Sequence, residues 1–338
     1  MPFKAVIGHQ RVIELLARSI RCDSLPPSLI FAGPAGVGKR LTALATAQAV
    51  NCTAPVPVTN TIELDACGTC AACTRIARGI HSDVLIVEPG DNESMKIEQV
   101  RDVIDRAAYR PFEGRRRVVI FDGADALVAQ AQNALLKTLE EPPSASMFIL
   151  VTSRPDSLLP TVRSRCPRLG FRALTPQEIA TALMQRGRSE SDARATAAAA
   201  DGSLGRAVDM SASDLVEVRE VAQAVLARAA ATPDPRRRIE GAKELLSNTG
   251  SGGAADREKL ASHLRAMASL VRDVELLSTR ADVRALANAD VQPVLDRLLP
   301  AYGGERGARA FSAIDRALVA LDRNAGVKIV ADWLVLQL

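Results

Sequence analysis

The chain has 338 residues and a net charge of +4, with 47% hydrophobic and 24% charged residues, which is typical of a soluble globular protein of two or three domains. No apolar run approaches the roughly 18 residues of a membrane span, and the N-terminal residues lack the apolar core of a signal peptide. We therefore expect a cytoplasmic protein without a membrane partner. Because only 3% of the residues are aromatic, Leu, Ala and Val must supply most of the packing.

From residue 1 to about 170, segments with helical periodicity alternate with short apolar segments that are typical of buried strands. The predicted strands are SLIFAG, HSDVLIVEP, RRRVVIFDGAD and SMFILVTS. The predicted helices are FKAVIGHQRVIELLARSI, RLTALATAQAVN, MKIEQVRDVIDRAAY and ALVAQAQNALLKTLEEPP. Apolar strands that alternate with helices predict an α/β domain with a parallel, doubly wound sheet.

After residue 170 the strand patterns stop, and Ala- and Leu-rich segments predict helices. TPQE at residues 175–178 is typical of a helix start, because it combines a Thr cap, a Pro in the first turn and a Glu at the third helical position. Glycine-rich interruptions follow at residues 247–256 and 302–307. We divide the chain into an α/β domain (1–170), a small helical domain (171–210) and a helical C-terminal domain (211–338).

The sequence GPAGVGKRL at residues 33–41 lies between a predicted strand and a predicted helix, which is the setting of a phosphate-binding loop. Its glycines let backbone N–H groups turn toward phosphate oxygens, and the helix N-terminus adds its dipole. The pattern requires Ser or Thr after the lysine to hold Mg²⁺, and Arg40 stands there instead. The nucleotide-binding candidates in this loop are Gly33, Gly36, Gly38 and Lys39.

A second element of ATP hydrolysis is RVVIFDGADAL at residues 117–127. Asp122 ends an apolar strand and suits a carboxylate that holds Mg²⁺, although a strand-end cap is an equal alternative. A hydrolytic site also needs a neighbouring carboxylate to orient water, and Gly123 occupies that position. Since loss of a general base costs roughly 10²- to 10⁴-fold in rate, we expect poor hydrolysis of any nucleotide bound here.

Four of the six cysteines, Cys52, Cys67, Cys70 and Cys73, are close in sequence, and three of them form the C-x₂-C-x₂-C pattern of CGTCAAC. Four thiolates make a closed tetrahedral zinc site with no open position for catalysis. The alternatives are loop cysteines without a metal and a redox-active CXXC pair, and the third and fourth cysteines favour zinc. We expect one structural Zn²⁺ in a module over residues 52–73.

Two basic segments have less specific meanings. Arg163 and Arg165 in TVRSRCPRL follow the last predicted strand, and alone they indicate only a basic surface loop. Arg110 and residues 115–117 form a second cluster, which could contact nucleic acid but which we interpret as a solvated strand edge. The three histidines are scattered along the chain, and we assign them no chemistry.

Several stretches occur in a fixed order along the chain: VIGHQ, GPAGVGK, CGTCAACTRIARGIHSDV, QNALLKTLEEPP, LLPTVRSRC and GSLGRA. In this order they resemble the bacterial clamp-loader branch of the AAA+ ATPases. The resemblance covers residues 1–210 strongly and the C-terminal part weakly. It implies that the first domain is an AAA+ P-loop domain, the second a helical lid, and the third a collar that holds a pentamer together.

The resemblance also implies roles for individual residues. Arg165 in the SRC motif would act catalytically in trans, by reaching into the ATP of a neighbouring subunit. Thr152 matches the sensor position at the end of its strand. Arg206 in GSLGRA lies near the second sensor, displaced by one residue from the motor subunits' G-S-L-R. The four cysteines match the family's zinc module.

A clamp loader uses ATP to open a ring-shaped sliding clamp and place it on primed DNA. The resemblance therefore implies gamma/tau and delta subunits as partners, and the sliding clamp and primed DNA through the complex. Arg40 and Gly123 favour a non-motor subunit with a degenerate ATP site and no independent activity, and they leave ATP binding open. The alternatives are an active gamma/tau-type motor and a zinc-dependent nucleic-acid-binding module.

Overall fold

The computed structural model describes residues 2–57, 64–90, 94–246, 253–279, 286–323 and 325–338. The chain divides into two compact units, Met1–Leu174 and Thr175–Leu338. The strands of the described residues all lie in the first unit, and the second unit is helical. The further boundary that we expect at residue 210 falls inside the second unit and stays a prediction.

The strands of the first unit are β1 (Ser28–Ala32), β2 (Val84–Val87), β3 (Arg117–Asp122), β4 (Ser146–Thr152) and β5 (Arg168–Gly170). They form a sheet in the order β2-β3-β4-β1-β5, and each strand is parallel to its neighbours. The four strands predicted from apolar runs and the parallel sheet are confirmed. The edge strand β5 was not predicted, because its RLG sequence carries no apolar run and its side chains are largely exposed.

The helices of the first unit are α1 (Gln10–Arg21), α2 (Lys39–Asn51), α3 (Ala71–Ala77), α4 (Ile97–Ala107), α5 (Ala129–Glu140) and α6 (Pro160–Arg163). The predicted helix over residues 3–20 is shorter in the structure. Gly8 and His9 adopt left-handed backbone, with φ of 68° and 55°, so that α1 begins only at Gln10.

Successive strand side chains point to opposite faces of the sheet, so that each strand contributes to two cores. Leu29 and Phe31 of β1 belong to the core that includes apolar side chains of α1 and α2. Ile30, between them, belongs to the core that includes side chains of α4 and α5. The sheet therefore has helices on both faces, as the doubly wound prediction requires.

The helices of the second unit are α7 (Pro176–Met184), α8 (Glu190–Ala199), α9 (Leu204–Asp209), α10 (Ala212–Ala231), α11 (Pro235–Leu245), α12 (Ala254–Ser278), α13 (Gln292–Tyr302), α14 (Glu305–Asp322) and α15 (Val327–Gln337). The predicted cap of α7 is confirmed, because Thr175 and Glu178 form a reciprocal capping box. Helices α10 to α15 share one apolar core, in which the Tyr302 hydroxyl donates to the carbonyl oxygen of Leu226 at 3.0 Å.

The interruption predicted at residues 302–307 is confirmed, because α13 ends at Tyr302 and α14 begins at Glu305. Residues 247–252 of the other interruption lie outside the described residues, and α12 begins just after it. Within the described ranges, no helix combines the length and the apolar character that crossing a membrane requires. The cytoplasmic location stays a prediction.

Candidate functional site

The P-loop, residues 33–38, joins the end of β1 to the start of α2. Gly36 and Gly38 have φ of 71° and 106°, a left-handed conformation that favours glycine. Among the described residues, no backbone acceptor pairs with the N–H groups of Gly36, Val37 and Gly38. These groups, with the helix N-terminus behind them, form the type of loop that binds phosphate.

The side chain of His9 contacts the P-loop. Its Nε2 atom lies 2.9 Å from the carbonyl oxygen of Val37, and its ring lies 4.8 Å from the ring of Phe171. We assigned His9 no chemistry from the sequence, and its observed contacts are structural. The VIGHQ motif thereby contributes a loop anchor, which a lone histidine does not reveal in a sequence.

Lys39 is the first residue of α2, and only 6% of it is exposed. Its ammonium donates to the carbonyl oxygens of Gly33 at 2.6 Å and Pro34 at 2.5 Å. Burial lowers the pKa of Lys39 to about 8, although Asp125 and Asp122 oppose this shift. Lys39 therefore lies folded against the loop that it would serve in phosphate binding.

Arg40 contacts the acidic residue that was predicted to hold Mg²⁺. Its guanidinium lies 2.8 Å from a carboxylate oxygen of Asp122, and the same Nη1 atom also pairs with Glu88. Partial burial lowers the pKa of Arg40, but Asp122 and Glu88 outweigh it and raise this pKa above its usual value. A permanent cation thus neutralises Asp122 at the end of β3.

These residues do not fit a magnesium ion. No hydroxyl follows Lys39, and the next candidate, Thr42, donates its hydroxyl to the carbonyl oxygen of Gly38 at 2.9 Å. Mg²⁺ requires oxygen ligands, but the guanidinium of Arg40 already occupies the position beside Asp122 and, being positively charged, would repel the ion.

Gly123 follows Asp122 with a φ of 84°. A Cβ atom at this position would lie 3.4 Å from Cγ of Pro89, and the left-handed backbone would strain any larger residue. Position 123 therefore lacks a carboxylate, and its left-handed backbone also favours glycine over Asp or Glu.

Thr152 ends β4, is buried, and donates its hydroxyl to Asp125 at 3.0 Å. The same carboxylate accepts the backbone N–H of Ser153 at 3.2 Å and pairs with Arg154. Asp125 was not predicted from the sequence, although its position three residues after Asp122 was an available signal. Parallel pairing brings the ends of β1, β3 and β4 to one edge of the sheet, where these groups and the P-loop meet.

Arg165 lies just after α6 on the surface of the first unit, with a third of its side chain exposed. Its guanidinium pairs with Glu140 and donates to the carbonyl oxygen of Thr161 at 2.8 Å. Arg163 forms a separate pair with Asp156 at 2.7 Å. Both arginines are accessible to another molecule, and Arg165 is the one in the SRC motif.

Arg206 lies in α9 of the second unit. Its Nε atom is 3.5 Å from a carboxylate oxygen of Glu258, and its Nη1 is 3.5 Å from the carbonyl oxygen of Ala200. Its part in nucleotide binding stays a prediction.

The four cysteines predicted as zinc ligands come together in the structure. Their Sγ atoms all lie within 4.8 Å of one another, with 3.6 Å between Cys52 and Cys67 and 4.0 Å between Cys52 and Cys70. Zinc–sulfur bonds of about 2.3 Å place tetrahedral ligands about 3.8 Å apart. Residues 58–63 of the predicted module lie outside the described residues.

Backbone N–H groups support two of these sulfur atoms, those of Cys67 and Cys70, as thiolates, whereas burial raises the pKa of Cys52 and of Cys73 in the absence of a metal ion. Cys67 Sγ accepts the N–H groups of Cys70 at 3.2 Å and Thr69 at 3.4 Å, and the pKa of Cys67 is lowered by these bonds. Burial raises the pKa of Cys70, but donors from Cys73 and Thr53 outweigh it and lower this pKa to about 5. The donor set therefore fits a zinc ion, which would act as a structural cross-link.

Residues 8–175 match the protein family described as DNA polymerase III, delta subunit. The matched region contains the sheet, the P-loop, the cysteine cluster and Arg165. The parallel sheet and the loop between β1 and α2 define the first unit as an α/β P-loop domain. The chain belongs to the clamp-loader family of DNA polymerase III.

Relatives from two subunit classes match the chain. Subunit tau of DNA polymerase III from Bacillus subtilis is 36% identical over 178 residues, which are 52% of this chain and 30% of the relative. Subunit delta' from Pseudomonas aeruginosa is 39% identical over 135 residues, which are 40% of this chain and 39% of the relative. The chain thus spans well under half the length of these relatives, and both subunit classes are represented.

Solved structures give only a weak likeness. A DNA polymerase III gamma subunit-related protein from Thermotoga maritima aligns over 96% of this chain and 97% of its own, with 19% identity and a TM-score of 0.43. The Bacillus subtilis DNA clamp loader delta protein aligns over 96% and 98%, with 10% identity and a TM-score of 0.37. The family assignment rests on the sequence matches.

Proposed function

We propose that this chain is the delta-prime subunit of the DNA polymerase III clamp loader, a non-motor subunit that helps load the sliding clamp onto primed DNA during replication. The observation that carries the proposal is the ion pair between Arg40 and Asp122. In an ATP-hydrolysing subunit a Mg²⁺ ion held by that carboxylate neutralises developing phosphate charge. Here the carboxylate is paired with the chain's own arginine.

A second loss supports the proposal. Gly123 offers no carboxylate to orient water, and the missing base alone would lower the rate roughly 10²- to 10⁴-fold. Because one change affects the binding of Mg²⁺ and the other the orientation of the attacking water, we expect the chain's own ATP hydrolysis to be weak or absent. The chain would act within an assembly whose other subunits hydrolyse ATP.

We propose that Arg165 is the residue that this chain lends to the reaction. Its guanidinium is at the surface, and its partner Glu140 is half-exposed, so that a neighbouring subunit's phosphates could replace this pair. An arginine supplied in trans can be worth roughly 10³- to 10⁵-fold in hydrolysis rate. The partners would be gamma/tau and delta subunits, with the sliding clamp and primed DNA reached through the complex.

The same proposal gives the cysteine cluster a structural role. A zinc ion held by Cys52, Cys67, Cys70 and Cys73 would have no free coordination position, and its closed site would fix the loop before α3. We do not assign this cluster a part in ATP hydrolysis.

A gamma/tau-type motor is the second candidate, and two observations favour it. The match to subunit tau is longer than the match to subunit delta', and Lys39 and the P-loop glycines are intact. Arg40 and Gly123 stand against this candidate, because a motor requires a hydroxyl and a carboxylate at these positions.

The test is DNA-stimulated ATP hydrolysis by the clamp loader reconstituted with gamma/tau and delta subunits. Arg165→Ala in this chain should lower the rate by roughly 10³-fold at the interface that it serves, without loss of assembly. Arg163→Ala, which removes a nearby exposed arginine with its own partner, is the matched control and should leave the rate unchanged. Unchanged turnover with Arg165→Ala would refute the role in trans. Steady hydrolysis by the isolated chain would favour the motor.

A further inference from the structure

The guanidinium of Arg40 lies where the P-loop site would otherwise hold a cation. Its Nη1 atom reaches Asp122 at 2.8 Å and Glu88 on the neighbouring strand end. Both acceptors follow or end strands at the edge of the sheet that faces the P-loop. The site therefore already contains a positive charge that no change in metal concentration can remove.

The rest of the guanidinium is available to a ligand. Half of the Arg40 side chain is exposed, and in the described part of the chain its Nε and Nη2 groups have no protein acceptor. Guanidinium groups bind phosphate oxygens with two parallel hydrogen bonds and stay charged at all relevant pH values. Arg40 can thus hold Asp122 with one edge while another edge donates to a phosphate.

The other groups of the site also suit a phosphate. The N–H groups of Gly36, Val37 and Gly38 face no protein acceptor among the described residues, and Lys39 begins the helix behind them. A second cation entering beside Arg40 would meet like charge, and Asp122 would have to exchange its arginine for the metal. The arrangement favours a polyphosphate that arrives without its magnesium.

We propose that Arg40 is a built-in replacement for Mg²⁺, so that the P-loop of this chain binds metal-free nucleoside di- or triphosphate and disfavours the magnesium complex. This inference rests on the proposed function, since it concerns the degenerate site of a non-motor subunit. It goes further by naming the form of the ligand. In solutions rich in Mg²⁺, the site would bind less nucleotide, because most of the nucleotide is in the magnesium complex.

The test is calorimetric titration of the full chain with ADP and with ATP, once in buffer freed of Mg²⁺ without a chelator, so that the cysteine cluster keeps its zinc, and once in excess Mg²⁺. We expect binding without Mg²⁺ to be at least about tenfold tighter than in excess Mg²⁺. Arg40→Thr restores the hydroxyl that the P-loop pattern requires, and it should reverse the order, with Mg²⁺ now strengthening binding. Arg163→Ala, away from the P-loop, should behave as the wild type, and thermal melts would establish that each variant is folded.

The outcomes separate this inference from the proposed function. No binding in either condition, with folded protein, would overturn the inference and leave the trans role of Arg165 to its own assay. Tight binding that requires Mg²⁺, without phosphate release, would also overturn the inference alone. Magnesium-dependent binding with steady phosphate release would overturn both, because the chain would then be an ATPase in its own right.

Discussion

A Cβ atom on Gly33 would lie only 2.2 Å from the carbonyl oxygen of Phe171. The contact exists because Phe171, just after β5, donates its backbone N–H to the carbonyl oxygen of Ala32 at 2.7 Å. The first glycine of the P-loop is therefore required by the packing of the last strand, in addition to any part in phosphate binding.

Gly33→Ala should accordingly destabilise the first unit, because the methyl group meets backbone that cannot move like a side chain. We expect a loss of about 1–3 kcal/mol in the free energy of unfolding. Gly170→Ala is the matched control, since a Cβ atom on Gly170 has no neighbour within 4 Å. Denaturant unfolding of both variants measures the difference, and equal stability would contradict the packing argument.

Asp83 organises the loop that leads into β3. Its buried carboxylate accepts the backbone N–H groups of Phe112 at 2.7 Å and of Glu113 and Gly114 at 2.8 Å, and it pairs with Arg117 at 2.8 Å. Burial raises the pKa of Asp83, but these donors outweigh it and lower the pKa to about 2.

The lowered pKa of Asp83 predicts an acid-dependent stability term. Since the folded-state pKa lies below the ordinary value of 3.8, the stabilisation is complete above pH 4 and is lost as the pH falls toward 2. After allowance for screening we expect this term to be about 1–2 kcal/mol. In Asp83→Asn the term should vanish, so that the stability difference from the wild type shrinks below pH 4.

The neutral-pH stability of Asp83→Asn should fall by about 3 kcal/mol, because Arg117 would remain buried without its partner charge. Asp23→Asn provides the control, since Asp23 pairs with the neighbouring Arg116 at a similar distance but is largely exposed. A pH profile of Asp83→Asn parallel to that of the wild type would show that another group causes the acid dependence.

The apolar strands, the P-loop position and the Thr175 cap could be predicted from sequence, because each depends on local pattern. Arg117 shows where such reasoning fails. We interpreted it as part of a solvated strand edge, yet it is buried against Asp83, which is 34 residues away in sequence. The partner of a long side chain is decided by tertiary pairing, which local charge patterns do not contain.

In the candidate site, too, some features could be predicted from local sequence and others depend on tertiary contacts. The absence of a hydroxyl at position 40 and of a carboxylate at position 123 was visible in the sequence. The pairing of Arg40 with Asp122 was not, because it depends on the parallel register that brings the start of α2 beside the end of β3. Asp125 was missed for a similar reason, since its hydrogen bond to Thr152 joins the turn after β3 to the end of β4.

The cysteine cluster predicts a stoichiometric metal. Purified protein should contain one zinc per chain, and Cys70→Ser should lose it, because a three-thiolate site is incomplete. We expect the variant to lose about 2 kcal/mol of stability, or roughly 4–8 °C in melting midpoint. Cys22→Ser, which removes an exposed cysteine outside the cluster, should keep both metal and stability. Folded wild-type protein with free thiols and no metal would contradict the zinc assignment.

Lys39 predicts a second pH dependence of stability, in the alkaline range and of the same sign as that of Asp83, since both groups have a lowered pKa in the folded protein. Because burial lowers its pKa from 10.5 to about 8, the folded protein releases this proton before the unfolded chain does. Stability should therefore rise between pH 8 and 10.5, by about 1–2 kcal/mol after allowance for screening. Lys39→Met should lack this rise and be more stable than the wild type at pH 7, while the exposed-residue control Lys137→Met should keep the wild-type slope.

The same Lys39→Met protein should lose nucleotide binding, since a cation at the start of α2 is what stabilises the terminal phosphates. A buried lysine that lowers stability is expected where ligand binding needs its positive charge. A Lys39→Met variant with wild-type stability and wild-type nucleotide binding would contradict both the predicted gain in stability and the predicted loss of binding.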